Sequence, residues 1–234
     1  MKLTTEQSAA IREHARAAYP NECCGVIIGG QYRPMRNLSK TPTKTFKMDL
    51  GDLRPEAIVH SHPDGIDAPS AYDMAQQRAT GVPWVIVKVM KEGCKPPFVF
   101  GGDISPLIGR TFRHGVHDCY SLIQDWFEGQ GQRHLTPEIP RNWHWWSQGE
   151  SLYMDHYAAA GWVRTNQPEI GCLGFMQTAG SNVANHAGVL IPGGWFLHHL
   201  VGRLSQRERV EQWLPSIKMW VKHPSFVLAD NSPA

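Results

Sequence analysis

One stretch near the middle of the chain, residues 101–106, constrains the fold most, because it separates two differently composed halves. It reads Gly-Gly-Asp-Ile-Ser-Pro, a combination typical of linkers and turns. Three of the 12 histidines precede residue 100 and nine follow it, so the composition changes across this stretch. At 234 residues the chain also exceeds the usual single-domain length of about 100–150 residues. We therefore predict two domains, residues 1–102 and residues 103–234.

The composition favours folded domains and argues against several classes of partner. Hydrophobic residues make up 41% of the chain and charged residues 19%, which suits a protein that buries cores. The 23 basic and 21 acidic side chains form no long run of one sign, so nucleic acid is not the indicated partner. The polar start and the lack of a run of about 20 apolar residues predict neither a signal peptide nor a membrane span. The five cysteines show no disulfide or zinc-finger spacing, which fits synthesis in a reducing cytoplasm.

Hydrophobic periodicity in the first half predicts helices and strands separated by turns. Residues 4–18 are expected to form a helix that starts with a capping box at Thr4. Residues 31–55 are poorly periodic and are expected to be loops, with weak strand content around residues 45–48. Strands are expected at residues 24–28, 57–63 and 84–90, and a second helix at residues 69–80.

Two histidines on one predicted strand point to a metal site. His60 and His62 are two positions apart, so their side chains leave the same face of the strand and can share one ion. Asp73, in the first turn of the following helix, can supply an oxygen ligand. Three protein ligands leave a fourth position for water, which is the arrangement of a catalytic zinc. Such a water needs a proton acceptor, for which Glu22 is the first candidate and Glu56 the second.

The same residues also allow an interpretation without metal. Ser70-Ala71-Tyr72-Asp73 is a capping box, and His-x-His pairs occur by chance on strands. The order of Glu22, His60-x-His62, Ser70 and Asp73 nevertheless resembles the JAMM (MPN-plus) metalloprotease motif. The resemblance implies one Zn²⁺ bound by His60, His62 and Asp73. It further implies that Glu22 is the acid/base and that Ser70 helps to stabilise the oxyanion.

The second half places one cysteine at the start of a predicted helix, residues 118–127. A helix N-terminus lowers the pKa of a thiol, so Cys119 is placed to be a nucleophile. His186 opens a predicted strand and can accept the thiol proton, and His198 on the adjacent strand can orient His186. The alternative is that Cys119 is a small buried residue and that both histidines are structural.

These segments resemble the NlpC/P60 family of papain-like cell-wall peptidases, which have an Asp-Cys helix, a His-x-Gly strand and a third polar residue. The resemblance implies Cys119 as the nucleophile, His186 as the base and His198 as the orienting residue. His199 is a weaker candidate for the third role, because strand alternation points it to the other face. Cys172 replaces the acid of the family's Pro-Gly-Asp-Leu turn, which affects the expected turn geometry and not the triad.

Further elements are expected around these residues. A short helix is predicted at residues 153–160, and strands at residues 173–177, 186–191 and 195–199. The tryptophans of residues 143–146 belong to an aromatic loop that either lines a substrate groove or completes a core or an interface.

The two motifs in this order resemble the lambdoid phage tail-tip assembly protein K family over nearly the whole chain. The resemblance implies an α+β protein: a mixed sheet with flanking helices, then a papain-like helix packed on an antiparallel sheet. It also implies a hydrolase that is made in the host cytoplasm, resides in the virion at the tail tip and acts at the host cell envelope.

The implied partners are other phage tail-tip proteins, and the implied substrate is bacterial peptidoglycan. Cys119 would cut its stem peptides as the phage enters the host, and the zinc site would hydrolyse a second amide or isopeptide bond. Two other functions remain open at this point. One is a structural tail-tip component with inactive sites, and the other is a protease that processes another tail protein.

Overall fold

The computed structural model describes residues 1–178 and 180–229. The chain divides into two compact units, Met1–Asp103 and Ile104–Ala234, one residue beyond the boundary drawn from the sequence. The first unit contains a mixed sheet and the second an antiparallel sheet, each with helices, so the predicted α+β class is confirmed. Within the described residues, no helix has the length and apolar character needed to cross a membrane.

The first unit is a six-stranded mixed sheet with two helices. The helices are α1 (Thr5–Ala18) and α2 (Ala71–Thr80). The strands are β1 (Cys24–Ile28), β2 (Gln31–Met35), β3 (Ala57–Pro63), β4 (Trp84–Met90), β5 (Gly93–Cys94) and β6 (Phe98–Phe100). The strand order is β2-β1-β3-β4-β5, and β6 also pairs with β4. Strands β3 and β4 run parallel and are connected through α2, whereas β1 is antiparallel to both β2 and β3.

Helix α1 starts and packs as its sequence predicts. Thr4 accepts a hydrogen bond from the Gln7 backbone, and the Gln7 side chain accepts one from the Thr4 backbone, which completes the capping box. Ile11 and Ala15, one helical turn apart, are fully buried in a core with valines of β3 and β4. The helix therefore supports the sheet from which the histidines project.

One strand of the first unit forms where the sequence predicted a loop. Residues 45–48 contain no strand, and a strand forms instead at Gln31–Met35. Gly29 and Gly30 have φ values of 58° and 69°, the conformation required by a two-residue hairpin turn. This turn folds β2 back onto β1 although β2 itself has little hydrophobic pattern.

The second unit is a six-stranded antiparallel sheet with short helices. The α-helices are α3 (Cys119–Gly129) and α4 (Leu152–His156). The strands are β7 (Val163–Thr165), β8 (Leu173–Met176), β9 (His186–Ile191), β10 (Trp195–His198), β11 (Gln206–Arg209) and β12 (Ile217–Lys222). The strand order is β11-β10-β9-β8-β12-β7.

Helix α3 packs against β9 and β10 and forms the centre of the second core. Its apolar face includes Leu122, Ile123 and Phe127, which are fully buried in one cluster with Ala187 and Val189 of β9. This packing fixes helix α3 against the strand that carries the predicted base.

Several elements of the second unit differ from the sequence-based expectation. The helix predicted at residues 153–160 forms at Leu152–His156, and strands β7, β11 and β12 were not predicted. The residues of β11, Gln206–Arg209, are all polar and only alternately half-buried, so they lack the apolar alternation of a typical strand. Pairing with β10, and not local propensity, makes this segment a strand.

Candidate functional sites

The three predicted metal ligands lie together in the first unit. His60 and His62 leave β3 on one face, and Asp73 lies in the first turn of α2, so a strand, a loop and a helix start bring them together. His60 Nε2 is 3.0 Å from His62 Nε2 and 3.2 Å from Asp73 Oδ1. His62 Nε2 is 3.3 Å from Asp73 Oδ2. The ligand atoms thus converge on one point, and all three residues are largely buried.

These distances fit a tetrahedral zinc ion. With zinc–nitrogen bonds of about 2.0–2.1 Å, two ligand atoms of a tetrahedron lie about 3.3 Å apart. His62 Nδ1 lies 3.1 Å from the carbonyl oxygen of Ile66, so it donates there, and in the neutral ring Nε2 then has the lone pair that a metal ion would take. His60 Nδ1 is buried without a partner among the described residues.

The charges of the cluster favour a bound cation. Burial alone would raise the pKa of Asp73, but hydrogen bonds from His60 and His62 outweigh burial and hold that pKa well below its usual range. Burial lowers the pKa of His60. For His62 the hydrogen bond and charge of Asp73 outweigh burial, and its pKa is raised. An ionised carboxylate beside imidazole nitrogens is the donor set that Zn²⁺ prefers.

The structure brings Glu22 next to this cluster and leaves Glu56 elsewhere. Cys24 pairs with His60 in the antiparallel register of β1 and β3, which brings Glu22, two residues before Cys24, close enough for His62 and Asp73 to shift its pKa. Glu22 is 7% exposed, and burial together with the charge of Asp73 raises its pKa to about 7, against the opposing effect of His62. Glu56 is exposed and accepts a hydrogen bond from the Gly30 backbone.

Ser70 holds Asp73 in place. Its hydroxyl donates to Asp73 Oδ2 at 2.7 Å, and its oxygen accepts from the Asp73 backbone at 3.1 Å. The capping box and the ligand set therefore coexist, because one carboxylate serves both. An oxyanion role for the Ser70 hydroxyl would require its bond to Asp73 to change.

Two aromatic rings beside His60 were not predicted from the sequence. Phe46 stacks on the His60 ring at 4.6 Å between centroids, and Trp84 meets it edge-on at 5.4 Å. Both lie far from the histidine motif in sequence, and no local pattern marks them. They shield one ligand from water and restrict its ring orientation.

In the second unit, Asp118 fixes the start of α3. Its side chain accepts from the Ser121 backbone at 2.9 Å, and it forms a buried ion pair with Arg141, whose Nη2 approaches both carboxylate oxygens at 2.8 Å and 2.7 Å. Burial opposes ionisation of Asp118, but Arg141 outweighs it and holds the Asp118 pKa well below its usual range. Cys119, the first residue of the helix, is thereby held at a defined place.

His186 and His198 form a hydrogen-bonded pair on neighbouring strands. His198 pairs with Gly188 across β9 and β10, so His186, two residues before Gly188, projects from the same face as His198. His186 Nε2 lies 3.3 Å from His198 Nδ1, and both rings are buried. His198 Nε2 lies 3.0 Å from Glu208 Oε2 on β11, a contact that sequence reasoning missed.

Cys119 and His186 face one cavity. Its walls are rich in aromatic rings, including Trp143, Trp145 and Trp146. The Cys119 thiol is hydrogen-bonded to the Tyr153 hydroxyl, with 3.1 Å between sulfur and oxygen. Tyr153 is part of no recognisable motif, so this contact could not be predicted from the sequence.

The protonation states of Cys119 and His186 differ from the sequence-based expectation. Burial and the Asp118 charge raise the pKa of Cys119 to about 11, although the thiol lies at a helix N-terminus. Burial, with the neighbouring rings of His198 and His199, lowers the pKa of His186 to about 3. The resting pair is therefore a neutral thiol and a neutral imidazole. The expected lowering of the thiol pKa is therefore wrong for this resting state, in which loss of solvation is the largest effect on that pKa.

His199 takes a different position from His198. It lines the cavity, and its Nε2 lies 3.1 Å from the carbonyl oxygen of Arg203. His198, and not His199, is the partner of His186. Cys172 lies at the turn before β8, where its sulfur accepts a hydrogen bond from the Glu169 backbone at 3.2 Å.

Comparisons with known proteins match both units. Residues 5–97 match the family of prokaryotic homologs of the JAB domain, and residues 95–222 match the NlpC/P60 family. A solution structure of a protein from Desulfitobacterium hafniense covers 40% of this chain and 86% of its own, with 24% identity and a TM-score of 0.31.

Two curated relatives match across both halves. Tail tip assembly protein K of Escherichia phage N15 is 38% identical over 212 residues, which cover 85% of this chain and 86% of the relative. Tail tip assembly protein K of Escherichia phage lambda is 35% identical over 163 residues, 67% of this chain and 76% of the relative. The chain therefore belongs to the Tail tip assembly protein K family, with a JAB-related domain followed by an NlpC/P60 domain.

Proposed function

We propose that this chain is a phage tail-tip protein whose second unit is a cysteine peptidase that cleaves peptidoglycan stem peptides as the phage enters the host. The main support is the position of Cys119 and His186 on one cavity, with His186 bonded to His198. The names of the relatives support the tail tip as its place in the virion and other tail-tip proteins as its partners.

The reaction starts from a neutral Cys119 thiol and a neutral His186 imidazole. As Cys119 Sγ attacks the amide carbon, a new S–C bond forms and the thiol proton passes to His186. His186 then gives this proton to the leaving nitrogen while the C–N bond breaks, which leaves a thioester on Cys119. Water hydrolyses the thioester, again with His186 as base, and restores the thiol.

The first unit supports a second hydrolase site. His60, His62 and Asp73 would hold Zn²⁺, which supplies Lewis-acid chemistry when bound. Glu22, whose raised pKa lets it both accept and return a proton near neutral pH, would be the acid/base for hydrolysis of an amide or isopeptide bond. Ser70 would position Asp73 through its 2.7 Å hydrogen bond.

Mass spectrometry of fragments released from purified peptidoglycan tests the proposal. Wild type, Cys119→Ala and His60→Ala are compared, with Cys172→Ala as a matched control because Cys172 is a thiol of the second unit outside the cavity lining. We expect stem-peptide fragments from wild type, His60→Ala and Cys172→Ala, and none from Cys119→Ala.

Absence of fragments from every protein would contradict peptidoglycan cleavage and favour the two other functions. A tail protein that is shortened only when Cys119 or His60 is intact would indicate an assembly protease. If phage carrying the double variant Cys119→Ala, His60→Ala assemble normal tails, the role as an assembly protease is excluded. If their tails are defective and no cleavage product is found with wild type, the chain is a structural component.

A further inference from the structure

The carboxylate of Glu208 extends the hydrogen-bonded chain beyond the third member of the cysteine site. His186 Nε2 lies 3.3 Å from His198 Nδ1, and His198 Nε2 lies 3.0 Å from Glu208 Oε2. The indole Nε1–H of Trp213 donates to the same carboxylate oxygen at 3.0 Å. Glu208 is thus held by two ring donors.

These contacts allow one consistent arrangement of protons when both rings are neutral. A carboxylate oxygen only accepts, so His198 carries its hydrogen on Nε2 and presents a lone pair at Nδ1. That lone pair accepts from His186, which therefore carries its hydrogen on Nε2. His186 Nδ1 is then left unprotonated, so it is the ring nitrogen with a lone pair that can accept a proton.

The protonation states of the His186 and His198 rings agree with this arrangement. Burial lowers the pKa of His198 even though Glu208 raises it, and burial lowers the pKa of His186 to about 3. Both imidazoles are therefore neutral near pH 7, and the tautomer of each ring is set by its hydrogen bonds.

We propose that Glu208 is a positioning residue that fixes the tautomer of His186 through His198 and so keeps a basic nitrogen available for Cys119. The inference rests on the proposed cysteine peptidase. It adds a fourth residue to the site, one that does not touch the reacting atoms.

The sheet holds His186, His198 and Glu208 in register. They lie on the neighbouring strands β9, β10 and β11, and Glu208 pairs with Phe196, two residues before His198, so both project from one face. Trp213 also packs its ring edge-on against His198, with 4.3 Å between centroids. The Glu208 side chain is 27% exposed, so its charge remains partly solvated while it orients fully buried His198.

Long-range ¹⁵N–¹H correlation NMR of the full chain with ¹⁵N-labelled histidine tests the arrangement directly. In wild type near pH 7 we expect Nε2 of His186 and His198 to be protonated and Nδ1 of both to be unprotonated. A proton on Nδ1 of His186 would overturn the proposal without any variant.

Variants then separate the role of Glu208 from simple structural support. In Glu208→Leu, which removes the acceptor, we expect a mixture of tautomers at both rings. In Glu208→Gln, whose amide oxygen can accept the same two bonds, we expect the wild-type pattern. Glu211→Leu is the matched control, because Glu211 is an exposed neighbouring carboxylate paired with Arg209. Unchanged signals in folded Glu208→Leu would overturn the proposal.

The peptidoglycan assay adds a kinetic readout. We expect Glu208→Leu to lower the kcat of Cys119-dependent release by about tenfold or more with little change in KM, since loss of the correct tautomer costs far more in serine peptidases. Glu208→Gln should recover most of the rate. If wild type releases no fragments, the proposed function fails, whereas the NMR tautomers still decide the role of Glu208.

Discussion

At the scale of single residues, both sites depend on which nitrogen of a histidine carries the proton. In the first unit the Ile66 carbonyl sets the tautomer of His62, and in the second unit Glu208 sets that of His198. Each of these partners orients one histidine ring through a hydrogen bond. Removal of either hydrogen-bond partner should therefore change the reactivity of its site while the protein stays folded.

Zinc binding is expected to depend on His60. We predict about one zinc per purified chain and its loss in His60→Ala, measured by elemental mass spectrometry, because two remaining ligands hold the ion weakly. A chelator should lower the melting temperature of wild type and not that of His60→Ala. His14→Ala is the control, since His14 contacts Tyr32 and lies outside the ligand cluster. Carefully purified wild type without zinc would contradict the site.

The Tyr153 hydroxyl is expected to tune the Cys119 thiol. Its hydrogen bond lowers the thiol pKa and so partly offsets burial, because the hydroxyl can donate to a thiolate. Tyr153→Phe should therefore slow alkylation of Cys119 by iodoacetamide several-fold near pH 8, read by peptide mass spectrometry. Tyr157→Phe, in the same core, should leave the rate unchanged. An equal or faster rate in Tyr153→Phe would refute this role.

At the scale of elements, the β9–β10 hairpin positions the histidine pair and leaves no space for a side chain at Gly188. A Cβ built there would lie 2.5 Å from Phe196 Cζ and 2.8 Å from the Leu197 carbonyl oxygen. A backbone atom cannot move aside without shifting the strand that carries His198.

Gly188→Ala is therefore expected to lower the free energy of unfolding by about 1–3 kcal/mol, the usual cost of overpacking. It should also widen the His186–His198 contact and reduce peptidase activity beyond the loss of folded protein. Urea denaturation gives the stability change. Gly129→Ala is the control, because no neighbour lies within 4 Å of a Cβ there and alanine suits a helix better. Equal stability of the two variants would show that the sheet adapts.

At the scale of the whole molecule, buried neutral histidines make stability depend on pH. The folded pKa of His186, about 3, lies below the ordinary 6.5, so the unfolded chain takes up the proton first on acidification. The stability contributed by neutral His186 is complete above pH 6.5 and is lost progressively as the pH falls toward 3.

We expect the free energy of unfolding of wild type to fall between about pH 6.5 and pH 4.5, by up to about 1.4 kcal/mol per pH unit from this one group. His186→Asn should show a shallower slope over the same range, measured by urea denaturation at several pH values. Exposed His156 provides the control variant His156→Asn, whose slope should match wild type. A slope in His186→Asn as steep as in wild type would assign the acid sensitivity to other groups.

The sequence by itself determined the features that depend on local spacing. The capping boxes at Thr4 and Ser70 were predicted from the sequence and form in the structure, because a cap needs only residues three positions apart. The shared face of His60 and His62 follows from strand alternation alone. The α+β class and both family resemblances rest on such local patterns, and the comparisons confirm them.

Only the tertiary structure decided what depends on distant neighbours. It placed Glu22, and not Glu56, near the histidine cluster, because Glu22 leads into the end of β1 that pairs with His60. It made β11 a strand and so brought Glu208 to His198. It also raised the pKa of Cys119, since burial disfavours the charged thiolate. Long-range pairing and burial have no signature in local sequence, which is why these features could not be predicted from it.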